Sequence, residues 1–349
     1  METAELRPGY VVPRVIRGAW QLSEGHSAVD KANAVDDFVA AADAGFVAID
    51  CADHYVGVEQ LVGAFRTRYA DLRGADALER VKVHTKYVPD LETLATVSKA
   101  DARAIVVRSL QRLGQERLDL VQYHWWDYAV PRHVEVATWL ADFAREGLID
   151  LVGGTNFSGR VTAEMIAGGV PIRAMQVQYS LFDQRPAADM AALARDKGFV
   201  FLCYGTLAGG FLSNRWLGRP DPGSEVENRS LVKYRLIIEE FGGWDAFQAL
   251  LATLDRVGTK HGVGVAEVAI RWTLDQPMVA AAIVGARDSA HLAQTGKVFA
   301  FRLDDADRAA IGRHLDARGG PFGEVYALER DRNGRHGRIM RYNQNKIPA

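Results

Sequence analysis

The sequence predicts one α/β domain folded as a closed (β/α)8 barrel, a TIM barrel. Three observations predict it. Eight short apolar runs alternate with longer segments of helical period, no linker or low-complexity tract divides the 349 residues, and no Gly-x-Gly-x-x-Gly follows the first run. Strands alternating with helices imply right-handed βαβ units and a parallel sheet. Eight such units point to closure, with an open doubly wound sheet as the alternative that the missing glycine fingerprint disfavours. The length would also suit two domains, but barrels of this kind run this long as one. With 48% hydrophobic residues the chain can bury a large core.

The first candidate strand, 15–16, leads to Gly18. The helical pattern at 29–44 then sets Val35, Phe38, Val39 and Ala42 on one face, with Gly45 as its stop. A second strand at 46–49 ends at Asp50 and precedes a helix over 58–69. The third, 81–83, leads to Lys86 and a helix over 102–113, and the fourth, 118–121, leads to His124 and a helix over 134–145. Further strands are predicted at 148–152, 174–177, 200–204 and 279–284, with helices over 187–197, 266–274 and 304–315. Two stretches break the repeat. Residues 211–244 are long for a βα loop and carry Asn214, Pro220, Asp221, Pro222, Gly223, Gly242 and Gly243, the composition of a lid or a disordered segment. The domain division is therefore a barrel over 1–316 and an irregular tail over 317–349. The tail is basic from Arg330 onward: Arg330, Arg332, Arg335, Arg338, Arg341 and Lys346 face a single acid, Asp331.

Composition narrows the function. A formal charge of −2 argues against a nucleic-acid or membrane-surface partner, which calls for basic excess. Two cysteines, Cys51 and Cys203, without a C-x-x-C or metal-ligand spacing suit a reducing compartment. The N-terminus has no apolar signal core, and no apolar run approaches the ~18 residues of a membrane span, so the cytoplasm is the expected location. The expected partner is a small molecule, with a homo-oligomer left open.

Asp50, Lys86 and His124 end three successive strands at separations of 36 and 38 residues, each about one βα unit. That spacing places them side by side at the C-terminal mouth, where barrel enzymes keep their sites, with Tyr55 in the loop above. Singly, Asp50 reads as a turn or cap residue, Lys86 as a solvated lysine, Tyr55 as a packing aromatic and His124 as a core histidine. Together they suit proton transfer coupled to hydride transfer. A tyrosine of pKa about 10 can hold a proton for a developing alkoxide. A neighbouring ammonium favours the phenolate and lowers that pKa. Asp50 would orient Lys86, and His124 would point a neutral N–H at the substrate oxygen in a pocket lined by Trp20, Trp125 and Trp126.

From about Gly18 to Thr295 the sequence resembles the aldo-keto reductase superfamily. Asp50-Cys-Ala-Asp-His-Tyr55 is similar to its D-T-A-x-x-Y, and Thr85-Lys86 closes the matching next strand. Gln122-Tyr-His-Trp125 is similar to L-I-H-W, Gly154-Thr-Asn-Phe157 to G-x-S-N-F, and Gln176-Val-Gln-Tyr179 to Q-x-E-Y. The resemblance implies a catalytic tetrad of Asp50, Tyr55, Lys86 and His124, with Tyr55 as general acid and base acting on a carbonyl or alcohol. It also implies a nicotinamide dinucleotide held without a Rossmann fold. Thr155, Asn156 and Gln176 would border the carboxamide, and Tyr204 would stack on the ring. Gly205 and Leu207 would follow along the dinucleotide, and Gly285, Arg287 and His291 would take the adenosine phosphate. A strand end, a glycine turn and a helix start make an anion site, and Arg287 suits a 2′-phosphate, so NADP(H) is expected ahead of NAD(H). The departures are Val56-Gly-Val-Glu59 in place of G-x-S-E, Gly205-Thr206 in place of Ser-Pro, and Thr295 where asparagine is common. The segment after Gly285 also lacks the lysine and spaced arginine of strongly NADP-selective members.

Two rivals accompany this reading. A metal-dependent hydrolase would use His54, His84, His124 and Asp50, but the first strand lacks the His-x-His of such barrels, His84 reads as a core residue, and no metal is expected. A cofactor-binding regulatory subunit, like those of membrane channels in the superfamily, would bind the dinucleotide with little turnover. The tail is the one extension that suits such a partner role. Residues 320–328 carry Phe322, Val325 and Tyr326 and are expected to dock on the protein, bringing the basic stretch to the mouth or to a subunit contact.

Overall fold

Eight parallel strands close into a barrel behind an N-terminal antiparallel hairpin in the computed structural model, which describes residues 1–23, 31–223, 226, 229–285, 292 and 294–345. The hairpin is β1 (Thr3–Arg7) with β2 (Tyr10–Pro13). The barrel strands are β3 (Val15–Gly18), β4 (Ala48–Asp50), β5 (Lys82–Tyr87), β6 (Leu118–Tyr123), β7 (Ile149–Thr155), β8 (Ile172–Gln178), β9 (Val200–Tyr204) and β10 (Val279–Gly285). β10 pairs in parallel with β3, Ile283 opposite Ile16, and closes the ring. All eight strands that the apolar runs predict are present.

Helices α1 (Lys31–Asp43), α2 (Val58–Arg73), α3 (Ala75–Glu79), α4 (Lys99–Leu113), α5 (His133–Arg145) and α6 (Gly159–Ala167) wrap the first half of the barrel. Local chemistry sets their ends. Ser98 and Asp101 form a capping box at the start of α4, and Ser158 caps α6. The predicted helix over 187–197 is two pieces, α7 (Arg185–Asp189) and α8 (Ala191–Lys197), because Met190 leaves helical geometry at φ −140°, ψ 0°.

The stretch 211–244 is not one irregular loop. Its second half is α9 (Arg229–Phe241), followed by α10 (Gly243–His261) and α11 (Val265–Leu274). Gly242 and Gly243 sit at φ 147° and 85°, so they mark a sharp break between two helices rather than a loop. Leu231, Tyr234, Ile237, Ile238 and Phe241 form the buried stripe of α9. Two apolar regions result. One lies between the strands and the helical layer. The other fills the barrel floor, where Leu6, Tyr10 and Val12 of the hairpin meet Ile16, Leu120, Leu151 and Leu202.

After α12 (Asp305–Asp316) the tail crosses the C-terminal face as a strap. Gly319 N–H donates to Phe241 O at 2.8 Å, and Val325 N–H to Asp189 Oδ2 at 2.9 Å. The short helix α13 (Ala327–Arg330) follows. The chain then reaches Leu91, whose N–H donates to Tyr342 O, and the Asn345 side chain donates to Asp53 and to Val88 O. The strap thus touches the loops after β4 through β8 and the helix after β9. Val325 and Tyr326 are buried as expected, but Phe322 is 62% exposed, with the Arg318 guanidinium 5.3 Å from its ring. Lys346 lies outside the described residues. Among those residues no helix is long and apolar enough to cross a membrane.

Candidate active site

Parallel register brings the strand-end residues together: Asp50 stands opposite His84, and Lys86 opposite Gln122. Because side chains alternate along a strand, Asp50, Lys86 and Gln122 share the barrel interior. Lys86 Nζ donates to Asp50 Oδ2 and to Cys51 O, both at 2.8 Å, and lies 4.9 Å from the Tyr55 ring centroid. Burial works against the ammonium, but the Asp50 carboxylate and then Tyr55 outweigh it and hold Lys86 protonated above the usual lysine range. Burial also dominates at Tyr55. It pushes the phenol up, Lys86 opposes and Asp50 adds, so the net shift is upward. Lys86 does pull the Tyr55 pKa down, as expected, but burial outweighs it, so the net shift is upward and not toward the working range. Trp20 packs on the Tyr55 ring at 4.7 Å and His54 at 4.8 Å.

His124 is oriented differently from the expectation. Its Nδ1–H donates to Thr155 O at 2.9 Å. Burial first, and then the Arg330 charge, hold the ring neutral well below the usual histidine range. A neutral imidazole donating through Nδ1 carries a lone pair on Nε2. Nε2 is buried without a partner among the described residues. His124 thus offers the mouth an acceptor, not an N–H. The Trp126 ring stands edge-on to it at 4.4 Å, its Nε1 also buried and without a partner among the described residues. Trp125 is fully buried, with Nε1 donating to Val130 O at 3.0 Å, so it backs the wall instead of lining the pocket.

The residues expected around the dinucleotide adjoin this centre. Asn156, at φ 62°, accepts at Oδ1 from Tyr204 OH at 2.8 Å. Gln176 Nε2 donates to Asp50 Oδ1 at 2.6 Å and to Gln122 Oε1 at 3.0 Å, while Gln122 Nε2 donates to Asp50 Oδ1 at 3.0 Å. Gly205 at φ 73° permits close packing: a Cβ there would lie 2.5 Å from Tyr234 Oη of α9. Leu207 is half-buried on the same loop, and Gly285 ends β10 with Gln21 against it. Arg287 and His291 lie outside the described residues. Asn156, the Gln176 carbonyl, the Tyr204 ring and the loop from Gly205 form a donor, acceptor and stacking set that fits a nicotinamide carboxamide.

Sequence reasoning missed three contributors. Gln122 lies two residues before His124, and strand alternation could have found it. Lys233 sits on α9, 5.0 Å from the Tyr204 ring and 5.7 Å from that of Tyr326, and the buried stripe of α9 is its signal. Tyr326, in the strap, stands edge-on to His124 at 5.6 Å. Arg330, from the basic stretch, reaches the mouth. It donates to Trp125 O, to Trp126 O at 3.1 Å and to Asn156 O at 2.6 Å, and lies 3.9 Å from the Tyr128 ring. The neighbouring Glu329 anchors the strap on Arg185 at 3.2 and 3.3 Å, and Arg185 also holds Asp183 at 2.7 Å, all three buried.

The metal reading does not assemble. Among the described residues no three histidine, cysteine or carboxylate side chains are grouped for a metal ion. His84 stacks on Tyr10 at 6.2 Å in the floor of the barrel, and burial pulls its pKa down to about 4.

A family model described as "Aldo/keto reductase family" matches residues 14–316. The chain is 26% identical over 316 residues to aldo-keto reductase YhdN of Bacillus subtilis, covering 88% of this chain and 91% of that one. It is 29% identical over 260 residues to flagellar radial spoke protein 5 of Chlamydomonas reinhardtii, covering 64% of this chain but only about half of that protein, 49%. A relative named NADH-specific methylglyoxal reductase, from Escherichia coli, is 24% identical, with 66% of this chain and 69% of that one covered. Among solved structures, a glycerol dehydrogenase from Gluconobacter oxydans is similar at TM-score 0.72 and 26% identity, over 90% of this chain and 95% of that one.

Proposed function

The chain belongs to the aldo/keto reductase family of NAD(P)H-dependent oxidoreductases, and on that premise we propose that it interconverts a carbonyl and an alcohol at the barrel mouth, with Tyr55 as the proton-transferring group. The observation that carries the proposal is the Lys86 ammonium, held by Asp50 against the Tyr55 ring. When bound, the nicotinamide supplies or accepts the hydride. Asn156 and Gln176 would hold its carboxamide and Tyr204 its ring. Gly205 and Leu207 would follow the dinucleotide, and Gly285, Arg287 and His291 would take the adenosine phosphate.

In reduction, Tyr55 Oη gives its proton to the oxygen of the reacting carbonyl, and Lys86 stabilises the phenolate left behind. In oxidation, the phenolate takes the proton from the alcohol. The His124 Nε2 lone pair accepts a hydrogen from the alcohol or from a hydroxyl next to the carbonyl, which supports a hydroxylated substrate. Arg330, fixed nearby by three backbone carbonyls, supports one that also carries an anionic or oxygen-rich group.

For the cofactor, Arg287 supports NADP(H) over NAD(H), while the NADH-specific name of one relative is the reason to test the choice directly. Titrating NADPH and NADH against wild type and Arg287→Ala decides it. Selective loss of NADPH affinity supports Arg287 as the 2′-phosphate reader, and equal loss or none removes it. The function itself is tested by absorbance at the nicotinamide band with plain and hydroxylated aldehydes and ketones. Absence of cofactor oxidation with every one of them would overturn the enzyme reading. The regulatory-subunit alternative has no feature of the described site in its favour.

A further inference from the structure

Gln122 is fully buried beneath the proposed site and closes a three-membered ring of hydrogen bonds with Asp50 and Gln176. The amide hydrogens of Gln176 are both used, one on Asp50 Oδ1 and one on Gln122 Oε1. An amide has two N–H donors and one carbonyl acceptor. Gln176 is therefore left with Oε1 alone, and that oxygen has no partner among the described residues. Asp50 by itself would occupy only one of the two hydrogens, leaving the other free to turn toward the mouth. Gln122 removes that freedom.

We propose that Gln122 is a positioning residue that sets the cofactor specificity of the site: by engaging the second N–H of Gln176 it makes Gln176 a pure acceptor, so that the site selects a dinucleotide whose ring substituent donates an N–H. The inference rests on the nicotinamide reading of the site. A carboxamide meets the condition through its NH2 group. An acetyl group in the same place has no N–H and leaves Gln176 Oε1 unpaired against another acceptor. Discrimination by one hydrogen bond is worth about 3- to 10-fold in affinity.

The test is binding, read by quenching of tryptophan fluorescence, with three probes: the reduced nicotinamide dinucleotide, its 3-acetylpyridine analogue, and the matching ADP-ribose, which lacks the ring. Wild type should prefer the carboxamide over the acetyl form about 3- to 10-fold. In Gln122→Met, which keeps the volume without the amide, that preference should fall to within about 2-fold while ADP-ribose affinity is unchanged. Gln122→Asn, whose shorter arm does not reach Gln176, should behave in the same way. A preference kept in both variants overturns the proposal. Equal weakening of all three probes also overturns it, because it marks Gln122 as a packing residue. Wild-type protein that binds none of the probes overturns instead the nicotinamide reading on which the inference rests.

Discussion

Arg330 Nη2 donates to the backbone carbonyl of Asn156 at 2.6 Å, across 174 residues of chain. This bond ties the C-terminal strap to the loop residue whose side chain meets Tyr204. The guanidinium lies over Tyr128 and lowers the His124 pKa, so the strap takes part in the electrostatics of the mouth.

Removing the strap tests that role. Truncation after Arg318 deletes Tyr326, Glu329, Arg330 and the contacts to Asp53, Asp90 and Trp126. Steady-state kinetics should show KM raised at least about 10-fold, with the barrel still folded by circular dichroism, because the strap adds substrate-side contacts rather than chemistry. Unchanged KM would make the strap a bystander to binding.

Tyr55→Phe removes the proposed acid while keeping the ring against Trp20. Turnover should fall about 10²–10⁴-fold, with dinucleotide affinity within about 2-fold of wild type. A variant retaining more than half the wild-type rate would sink the assignment.

The pH dependence follows from the upward shift at Tyr55. Reduction needs the phenol protonated, so its rate should stay flat through neutrality and decline only on the alkaline side. Oxidation needs the phenolate and should rise with pH. Lys86→Met removes the cation that limits the shift, so the alkaline limb should move to still higher pH. A limb that stays in place or moves down contradicts the role given to Lys86.

His124 makes a separate prediction. Its ring is held neutral well below the usual range by burial and by Arg330, so the wild-type rate profile should carry no histidine limb between about pH 6 and 7. A limb near pH 6.5 that disappears in His124→Asn would show a protonated imidazole and reverse the acceptor assignment.

The strap anchor predicts a stability effect. At Glu329 burial raises the pKa, but Arg185 and then Lys233 outweigh it and the net shift is downward. A depressed folded pKa means the stabilisation is complete above the unfolded value of 4.5 and is lost as pH falls through the folded one. Arg185→Met leaves Asp183 and Glu329 buried without the guanidinium that bonds both, with only Lys233 nearby, and should cost about 3–5 kcal/mol in urea unfolding. A loss under about 1 kcal/mol would mean the pair can rearrange or reach water.

What the sequence determined by itself is what short-range pattern carries. Apolar runs such as 81–83 and 118–121 mark strands because a strand buried on both faces needs them, and the spacing of Asp50, Lys86 and His124 follows from the length of one βα unit. The same logic makes α9 legible in hindsight, since Leu231, Tyr234, Ile237 and Ile238 recur at helical period and only the flanking glycines and prolines disguised them. What the tertiary structure decided depends on partners far apart in the chain. The His124 ring donates through Nδ1 because the Thr155 carbonyl is beside it, and Gln122 meets Gln176 because β8 brings the two amides within 3.0 Å. Tyr55 holds its proton because burial outweighs the lysine that local chemistry would have credited. The strap crosses the mouth because Arg185 is waiting for Glu329, a pairing that hydrophobic period cannot encode, since a buried charge is placed by its counter-charge and not by its neighbours in sequence.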